Sequence, residues 1–253
     1  MTGRTSDAGN ATEKALRLLE AAAAPGYPHR LAAIVKDAAV PKASAHRILQ
    51  NLVENSFLAG DGNTGYGPGP RLRALAAQVT RGCPEDQVMR DEIEGLSART
   101  GHAAQLGVRT GDFVTCLISA PGSHAVRLAV HDGTHLPLHA TAIGKCVLAG
   151  LGDDELVGLT TRLGLPARTA NTITDLDALR GDLTGVREKG FALDDEENEQ
   201  NVRCLAAPVR DSRGAVVGGV SISTVTFLES REEFLARVDQ VRMTAEALFG
   251  ILH

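Results

Sequence analysis

The chain has 253 residues, a length that fits one large domain or two modest ones. Hydrophobic residues make up 43% of it and charged residues 23%, which is enough apolar material for a packed core. No stretch approaches the roughly 20 consecutive apolar residues of a membrane helix, and the N-terminus has no apolar signal core, so we expect a cytoplasmic protein without membrane contact. Tryptophan is absent and aromatic residues are only 3%, which argues against binding of single-stranded nucleic acid by base stacking. The 4 cysteines are widely spaced and form no C-x-x-C pair, which argues against a zinc ribbon and a disulfide framework.

The net charge of −5 hides an asymmetry along the chain. Residues 1–82 hold ten Lys and Arg against six Asp and Glu, a balance of +4, whereas the remainder carries −9. A basic segment beside an acidic one is typical of a small module that binds an anion, attached to a domain with another role. The charge distribution therefore keeps DNA open as a partner of the N-terminal third.

Three helices and a hairpin are predicted for the N-terminal third. Asn10 followed by Glu13 is a capping-box pattern that opens a helix, and Asp61-Gly62-Asn63 is a strong hairpin-turn signal. This order of elements predicts a winged helix-turn-helix domain over residues 1–70. The predicted elements are a helix over Ala11–Ala24, a second over residues 31–38, a third with Pro41 at its first position, and strands around Phe57–Ala59 and Thr64–Tyr66.

The third predicted helix separates an apolar stripe from a polar face. Ala45, Leu49 and Leu52 belong to the stripe, at helical spacing. A helix that reads DNA needs such a stripe to dock it, and polar side chains that reach phosphates and base edges. The alternative is a three-helix packing domain with an ordinary solvent-exposed face. The predicted DNA contacts are Lys42, Ser44, His46, Arg47 and Gln50.

The rest of the chain predicts a linking helix and a second domain. The linker covers residues 71–83, with its helix over Arg71–Arg81, and the second domain covers residues 84–253. Strands follow one another without β-α-β alternation, which predicts an α+β fold with an antiparallel sheet rather than a Rossmann fold. The predicted helices are Glu85–Thr100, Ala142–Ala149, Asp153–Leu163, Asp175–Lys189 and a C-terminal helix from Ser230, and the predicted strands are Ala103–Arg109, Phe113–Ser119, Val126–His131, Leu205–Val209 and Val216–Ser223.

Five spaced segments carry recognisable motifs: Val40–Leu49, Leu138–Lys145, Arg187–Ala192, Val202–Val209 and Gly218–Ser223. Taken in order, these motifs resemble those of the IclR family of bacterial transcriptional regulators. The resemblance covers nearly the whole chain and implies a winged-helix DNA-binding domain, a linker helix and a GAF-like effector-binding domain. It also implies homodimers or homotetramers on palindromic operators, and a regulator without catalytic residues, metal or cofactor. One departure is the polar loop at residues 194–201, where family members often have Gly or Pro.

An effector pocket is predicted around the start of the helix at Thr141. The first N–H groups of a helix lack intrahelical partners and suit a carboxylate. Ser221 and Ser223 alternate on one strand, so they face the same side and can both donate to an anion, whereas Asp194 would accept from a ligand hydroxyl or hydrated carbonyl. These groups favour a small organic acid, aliphatic or aromatic; the alternative is that both serines only satisfy neighbouring backbone. The resemblance carries the pocket onto Ala142, Ile143, Asp194, Cys204, Ser221 and Ser223.

Two other functions compete with this interpretation. Cys204 could be the nucleophile of an enzyme that modifies small molecules, although buried cysteine is more often an inert small hydrophobe. His131, His135 and His139 would align three metal ligands on a helix and make a metal-responsive regulator, but a glycine and a proline between them break that periodicity. The acidic run at residues 194–199 predicts a solvated loop with one carboxylate facing the ligand.

Overall fold

The computed structural model describes residues 10–24, 26–82, 84–123 and 130–252. The chain divides into two units, Met1–Cys83 and Pro84–His253. One hydrophobic core lies in the first unit and two lie in the second. Among the described residues no helix is both long and apolar enough to span a membrane.

Three helices form the framework of the first unit: α1 (Ala11–Ala23), α2 (Leu31–Ala38) and α3 (Lys42–Glu54). Asn10 caps α1, since its side chain accepts a hydrogen bond from the Glu13 amide at 2.9 Å, which is one of the two bonds of the predicted capping box. Leu18, Ile34 and Leu49, one from each helix, are fully buried in a single core. Removal of these apolar faces from water holds the three helices together.

Two helix ends in the first unit differ from the prediction. The first helix ends at Ala23 rather than Ala24. Pro41 is the N-cap of α3, with ψ at 135°, and Lys42 is the first helical residue. The proline ring fixes φ but leaves ψ free, so the sequence did not distinguish a cap from a first helical position.

A two-stranded antiparallel hairpin follows, made of β1 (Leu58–Asp61) and β2 (Gly65–Pro68). Both strands begin one residue later than predicted and extend further. Asp61 closes the turn, because its Oδ1 accepts from the N–H groups of Asn63 at 2.8 Å and Thr64 at 2.7 Å. The hairpin is the wing of the predicted winged helix-turn-helix.

The helix predicted over Arg71–Arg81 is present as α4 (Pro70–Gly82), one residue longer at each end. The guanidinium of Arg71 lies 4.8 Å from the centre of the Phe57 ring, and that of Arg73 lies 5.5 Å from that of Tyr27. These cation–π contacts hold the first turn of α4 to the rest of the first unit.

The second unit is built on one antiparallel sheet, as predicted. In the described part of the chain the sheet has six strands: β3 (Ala103–Thr110), β4 (Phe113–Ala120), β5 (His135–Pro137), β6 (Ala192–Asp195), β7 (Val202–Arg210) and β8 (Val216–Val225). The order is β5-β4-β3-β8-β7-β6, and every neighbouring pair is antiparallel. Non-consecutive strands β3 and β8 meet at the centre, so both ends of the unit contribute to one sheet.

Helices cover both faces of this sheet. They are α5 (Pro84–Thr100), α6 (Ala142–Ala149), α7 (Asp153–Leu163), α8 (Leu176–Lys189), α9 (Arg231–Leu235) and α10 (Val238–Ala247). Neighbouring residues of a strand face opposite layers. Leu205 packs in a core with α5 and α10, whereas Ala206 packs in a core with α6 and α8. Ile222 belongs to the α5 side, so Ser221 and Ser223 face α6.

The structure of the second unit differs from the sequence prediction in three places. Of the strand predicted over Val126–His131, residues 126–129 lie outside the described residues, and residues 130 and 131 are not in a strand. Strands β5 and β6 were not predicted, because three or four residues are too few to show alternation. The C-terminal helix is two helices, α9 and α10, although Ser230 and Glu233 form the predicted capping box.

The α6 helix packs very closely on the sheet and on the chain before it. A Cβ added to Gly107 would lie 3.2 Å from Ile143 Cδ1, and one added to Gly219 would lie 3.3 Å from Ile143 Cγ2. A Cβ added to Gly144 would lie 2.6 Å from the Leu138 Cα, closer than real Cβ atoms come. Glycine at these positions therefore lets α6 reach the middle of the sheet.

This packing predicts opposite effects for two glycine substitutions within helices. Gly144→Ala is expected to lower the free energy of unfolding by about 1–3 kcal/mol, because its Cβ overlaps backbone that cannot easily move. Gly158→Ala in α7, where an added Cβ meets nothing within 4 Å, is the matched control and is expected to gain up to about 1 kcal/mol. Urea denaturation measures both. Equal effects would contradict the close approach at Gly144.

Candidate functional site

The outer face of α3 carries the predicted DNA contacts. Ala45 and Leu49 are completely buried, which fixes the rotation of α3 about its axis. The opposite face is therefore turned outward. Four of the five predicted residues are exposed and Ser44 is half-buried, the full set being Lys42, Ser44, His46, Arg47 and Gln50.

The positive charge of this surface lies on α3 rather than at the tip of the wing. Within the described residues, Lys42 and Arg47 have no carboxylate partner, so their charges are available to phosphates. Asn51 is engaged, since its Nδ2 donates to the Arg47 carbonyl at 2.9 Å. The wing tip carries Asp61, and the Thr64 backbone N–H, with that of Asn63, lowers the pKa of its carboxyl.

The second unit contains a pocket between α6, the sheet and the loop after β6. All seven predicted effector residues line it: Thr141, Ala142, Ile143, Asp194, Cys204, Ser221 and Ser223. The structure adds six lining residues, of which Asn198 and Glu199 belong to the acidic run and the other four were not indicated by the sequence: Gln105, Val130, Leu136, Asn198, Glu199 and Val202. The cavity volume is about 40 Å³. The four separated parts of the prediction, residues 141–143, 194, 204 and 221–223, therefore meet in one small pocket.

Polar residues of β3, β7 and β8 form the floor of this pocket. Gln105 is paired with Ser221 across β3 and β8, and Cys204 with Ser223 across β7 and β8. The Ser223 hydroxyl donates to the Cys204 sulfur at 3.1 Å, and Ser221 Oγ lies 3.4 Å from Gln105 Oε1. Both hydroxyls thus contact side chains rather than backbone, and a ligand that accepts more strongly could redirect them.

The N-terminus of α6 forms one wall. Thr141 is the N-cap: its hydroxyl accepts from the Gly144 N–H at 3.2 Å and donates to the Pro137 carbonyl at 2.7 Å. The cap therefore leaves the N–H groups of Ala142 and Ile143, the first two residues of the helix, without an intrahelical acceptor. With the positive end of the helix dipole, they make an anion-binding surface.

Asp194 is buried and holds the acidic loop instead of standing free. Its Oδ1 accepts from the N–H groups of Glu197 at 2.8 Å and Asn198 at 3.3 Å, and the residue is only 2% exposed. The expectation of a solvated loop was therefore wrong for Asp194 and Glu197, which are both buried. Burial raises the pKa of Asp194 to about 7, against the opposing effect of the two N–H donors.

A buried lysine ties the same loop to α6. Lys145 is 1% exposed, and its Nζ lies 2.6 Å from Glu197 Oε1 and 3.1 Å from Asp182 Oδ2 of α8. Burial lowers the pKa of Lys145, but the charges of Glu197 and Asp182 outweigh burial and raise it, so the ammonium stays protonated at neutral pH. Burial also raises the pKa of Glu197, and Lys145 opposes that shift.

The outer side of the loop is fixed by the segment between α7 and α8. Thr169 Oγ1 donates to the Glu196 carbonyl at 2.6 Å, and Thr172 Oγ1 donates to the Glu197 carbonyl at 2.6 Å. Arg168 Nε donates to the Asn198 carbonyl at 3.2 Å. The loop that closes the pocket is therefore held from α6 on one side and from this segment on the other.

The geometry does not favour the enzyme or the metal alternative. Burial raises the pKa of the Cys204 thiol well above its usual range, so the sulfur is a thiol and a poor nucleophile. Among the described residues, no three His, Cys, Asp or Glu side chains are grouped to hold a metal ion. His139 Nε2 instead meets the Pro166 carbonyl at 3.0 Å, and His135 stacks on Phe113 with ring centres 5.6 Å apart.

Two important residues were missed by sequence reasoning. Gln105 is a single polar residue in a predicted strand, and the apolar residues Ala104 and Leu106 beside it face the α5 side. That alternation was a usable signal for a residue on the α6 face. Lys145 offered no such signal, because its partner Glu197 is 52 residues away in the sequence.

Comparison with known families agrees with this arrangement. The helix-turn-helix domain of IclR matches residues 11–62, and the C-terminal domain of the bacterial transcriptional regulator IclR matches residues 84–249. The chain belongs to the IclR family. It is therefore a transcriptional regulator with a DNA-binding helix-turn-helix and a C-terminal effector domain, and the predicted family is confirmed.

Individual relatives are similar over almost their whole length. The IclR-family chain is 31% identical to the HTH-type transcriptional regulator XynR of Escherichia coli, over 93% of this chain and 94% of XynR. It superimposes on an IclR transcriptional regulator from Alicyclobacillus acidocaldarius with a TM-score of 0.80, at 29% identity over 93% of this chain and 95% of that one.

One fold neighbour has a known ligand. An IclR homologue from Microbacterium hydrocarbonoxydans, in complex with 4-hydroxybenzoate, has a TM-score of 0.77 and covers 96% of this chain and 99% of its own. Its identity to this IclR-family chain is 24%, so the likeness shows the fold alone.

The raised pKa of Asp194 predicts that Asp194→Asn increases the free energy of unfolding by an amount that depends on pH. Above pH 3.8 the unfolded carboxyl ionises while the folded one keeps its proton to about pH 7, so this group costs stability as pH rises through that window. Asparagine keeps the acceptor oxygen and has no charge. Its gain in unfolding free energy over wild type is expected to be near zero at pH 4 and about 2–4 kcal/mol above pH 7.

Urea denaturation across this pH range measures the difference. Asp211→Asn is the control with the opposite sign, because the Arg213 side chain and the turn backbone lower the pKa of Asp211. That variant is expected to lose stability as pH rises through the acid range. A gain for Asp194→Asn that does not depend on pH would rule out the buried-carboxyl explanation.

Proposed function

We propose that this IclR-type regulator binds a palindromic operator as a homodimer or homotetramer and responds to a small organic acid. The first 70 residues would read double-stranded DNA, α4 would link the two parts, and residues 84–253 would sense the effector in the cytoplasm. The main support is that four separated parts of the sequence expected to form the effector pocket lie together in one cavity. No residue has a catalytic role in this proposal.

The DNA-reading surface is the outer face of α3. Arg47 lies in the middle of α3 and is exposed, so it can reach a guanine edge or a phosphate. Lys42 and Ser44, near the N-terminus of the helix, would contact the backbone, and His46 and Gln50 would lie beside Arg47. A single helix that reads a few base pairs gives little affinity, so two copies on half-sites about one helical turn apart, or a multiple of that, would share the operator.

Arg47→Ala is expected to weaken operator binding by about 1–3 kcal/mol if Arg47 reads a base. If it contacts only phosphate, specific and non-specific binding should weaken alike, and the salt slope should fall by about one. Fluorescence anisotropy with DNA from the protein's own upstream region measures both quantities. Arg90→Ala in α5 is the matched control, because it removes the same charge outside the helix-turn-helix domain. Unchanged binding by Arg47→Ala would refute the assignment of α3.

The pocket supports a carboxylate ligand without a cationic side chain. Among the described residues that line it, none is Lys or Arg. The N–H groups of Ala142 and Ile143 would bind the carboxylate, and the hydroxyls of Ser221 and Ser223 would donate to it.

The size of the pocket favours a short acid. A volume of about 40 Å³ fits about three water molecules at roughly 10–15 Å³ each. An aliphatic acid of a few carbon atoms fits this space, whereas an aromatic acid would require the loop at residues 194–201 to move. The bonds from Thr169, Thr172 and Lys145 oppose such a movement.

Asp194 makes the binding of an anion dependent on pH. In its protonated form the carboxyl has a proton to donate to a bound carboxylate, and in its ionised form it repels one. Since its pKa is raised to about 7 by burial, the favourable form decreases as pH rises from 6 to 8. Glu199 on the same loop adds a second negative group to the lining.

Titration calorimetry with lactate, pyruvate and 4-hydroxybenzoate tests the pocket. A short acid is expected to bind more tightly at pH 6 than at pH 8, and Asp194→Asn should reduce this difference. Ser221→Ala/Ser223→Ala should weaken binding about a hundredfold, as expected for two lost hydrogen bonds at about tenfold each. Ser212→Ala in the exposed β7–β8 turn is the control and should leave affinity unchanged. An acid that binds all these proteins equally must bind elsewhere, and the pocket assignment would then be wrong.

A further inference from the structure

A second and larger cavity lies on the other side of the β5–α6 segment. Leu138 and His139 form one side of it, and α7 and the loop after α7 form the other. We propose that this cavity is a separate ligand site for a small uncharged phenol or aromatic alcohol whose hydroxyl donates to His139. The proposal does not depend on the organic-acid site. The full lining is Asp112, Phe113, Pro137, Leu138, His139, Leu148, Leu159, Thr160, Leu163, Gly164, Leu165 and Pro166.

The volume and lining suit an aromatic ring. The cavity volume is about 250 Å³. Engineered apolar cavities of about 150 Å³ lined by Leu, Ile and Phe stay dry and bind benzene, so this cavity is large enough for a substituted ring. Leu148 and Leu159 form its buried interior at 1% and 4% exposure, whereas Phe113 and Leu163 stand half-exposed at its mouth. A ligand would reach the interior past these two side chains.

His139 supplies a neutral side-chain acceptor to this lining. The Nε2 atom of His139 meets the Pro166 carbonyl at 3.0 Å, and since a carbonyl only accepts, Nε2 carries the proton. Burial lowers the pKa of His139, so the ring is neutral at pH 7 and Nδ1 is an acceptor. No described residue donates to Nδ1. A ligand hydroxyl would satisfy it.

The other polar side chains of the lining do not offer a donor to a ligand. Thr160 Oγ1 donates within its own helix, to the Leu156 carbonyl at 2.8 Å and the Val157 carbonyl at 3.2 Å. Asp112 is an acceptor, and its Oδ2 is paired with Arg162. A carboxylate ligand would therefore meet an acidic side chain and no free side-chain donor of the lining, and a ligand without a hydroxyl would leave His139 Nδ1 unsatisfied. These facts select a neutral ligand with one donor.

This site shares a wall with the organic-acid pocket. Leu136 and Thr141 line the first pocket, whereas Pro137, Leu138 and His139, which lie between them in the chain, line the second. The Thr141 hydroxyl, which caps α6, donates to the Pro137 carbonyl at 2.7 Å. A ligand in either cavity thus contacts the same short segment.

Fluorine NMR on the full-length protein with 4-fluorophenol and 4-fluoroanisole tests the proposal. The two probes differ by the methyl group that removes the hydroxyl donor. We expect saturable binding of 4-fluorophenol at millimolar concentration and binding of 4-fluoroanisole that is about tenfold weaker, as for one hydrogen bond. His139→Phe keeps a ring in place but removes the acceptor, so it should bind both probes with similar affinity. No binding of 4-fluorophenol, or equal binding of both probes by the wild type, would overturn the proposal.

Two further variants locate the probe. Leu163→Trp fills the mouth from a half-exposed position and should weaken binding about tenfold or more. Leu117→Trp on β4 is the matched control, since Leu117 is 37% exposed but does not line the cavity, and it should have no effect. If Ser221→Ala/Ser223→Ala removes binding and Leu163→Trp does not, the probe lies in the first pocket and the proposal fails. It also fails if Leu163→Trp alters the sedimentation of the ligand-free protein, because the surface then joins two copies.

Discussion

The buried ammonium of Lys145 constrains the architecture of the second unit. A charge that is 1% exposed is stable only when it is paired, and its two partners come from α8 and from the loop after β6. The one charge therefore requires three separate parts of the chain to meet. The position of Glu197, and with it the loop that closes the small pocket, follows from this requirement.

The position of α6, the helix that carries Lys145, also depends on three glycines, which have no side chain. Gly107 and Gly219 leave room on the sheet for Ile143, and Gly144 leaves room for the chain at Leu138. The N-terminus of α6 therefore reaches the polar floor formed by Gln105 and its neighbours. Because this helix wall lies between two cavities, its close packing determines the shape of both.

Much of this was predictable from the sequence, for local reasons. The apolar stripe of α3 predicted which side chains face outward, and the alternation of Ser221 and Ser223 predicted a shared face. Burial of Asp194 was not predictable, since a run of acidic residues normally indicates a solvated loop. Its partners are the amide groups of a turn in which Glu197 also contacts Lys145, a residue 52 positions away in the sequence. Strand β5 was missed because it pairs at the sheet edge with only three residues.

The electrostatics of the small pocket follow from where the charge of Lys145 is placed. Lys145 is paired with Glu197 and Asp182 and does not line the pocket, so its ammonium is not available to a ligand. In the proposed function, an anion there would depend on weaker, directional donors: two helix N–H groups, two hydroxyls and the proton of Asp194. Such donors must each be aimed at the ligand, because dipoles lose strength with distance faster than a full charge does. A pocket of this kind distinguishes acids by shape and protonation rather than by charge alone.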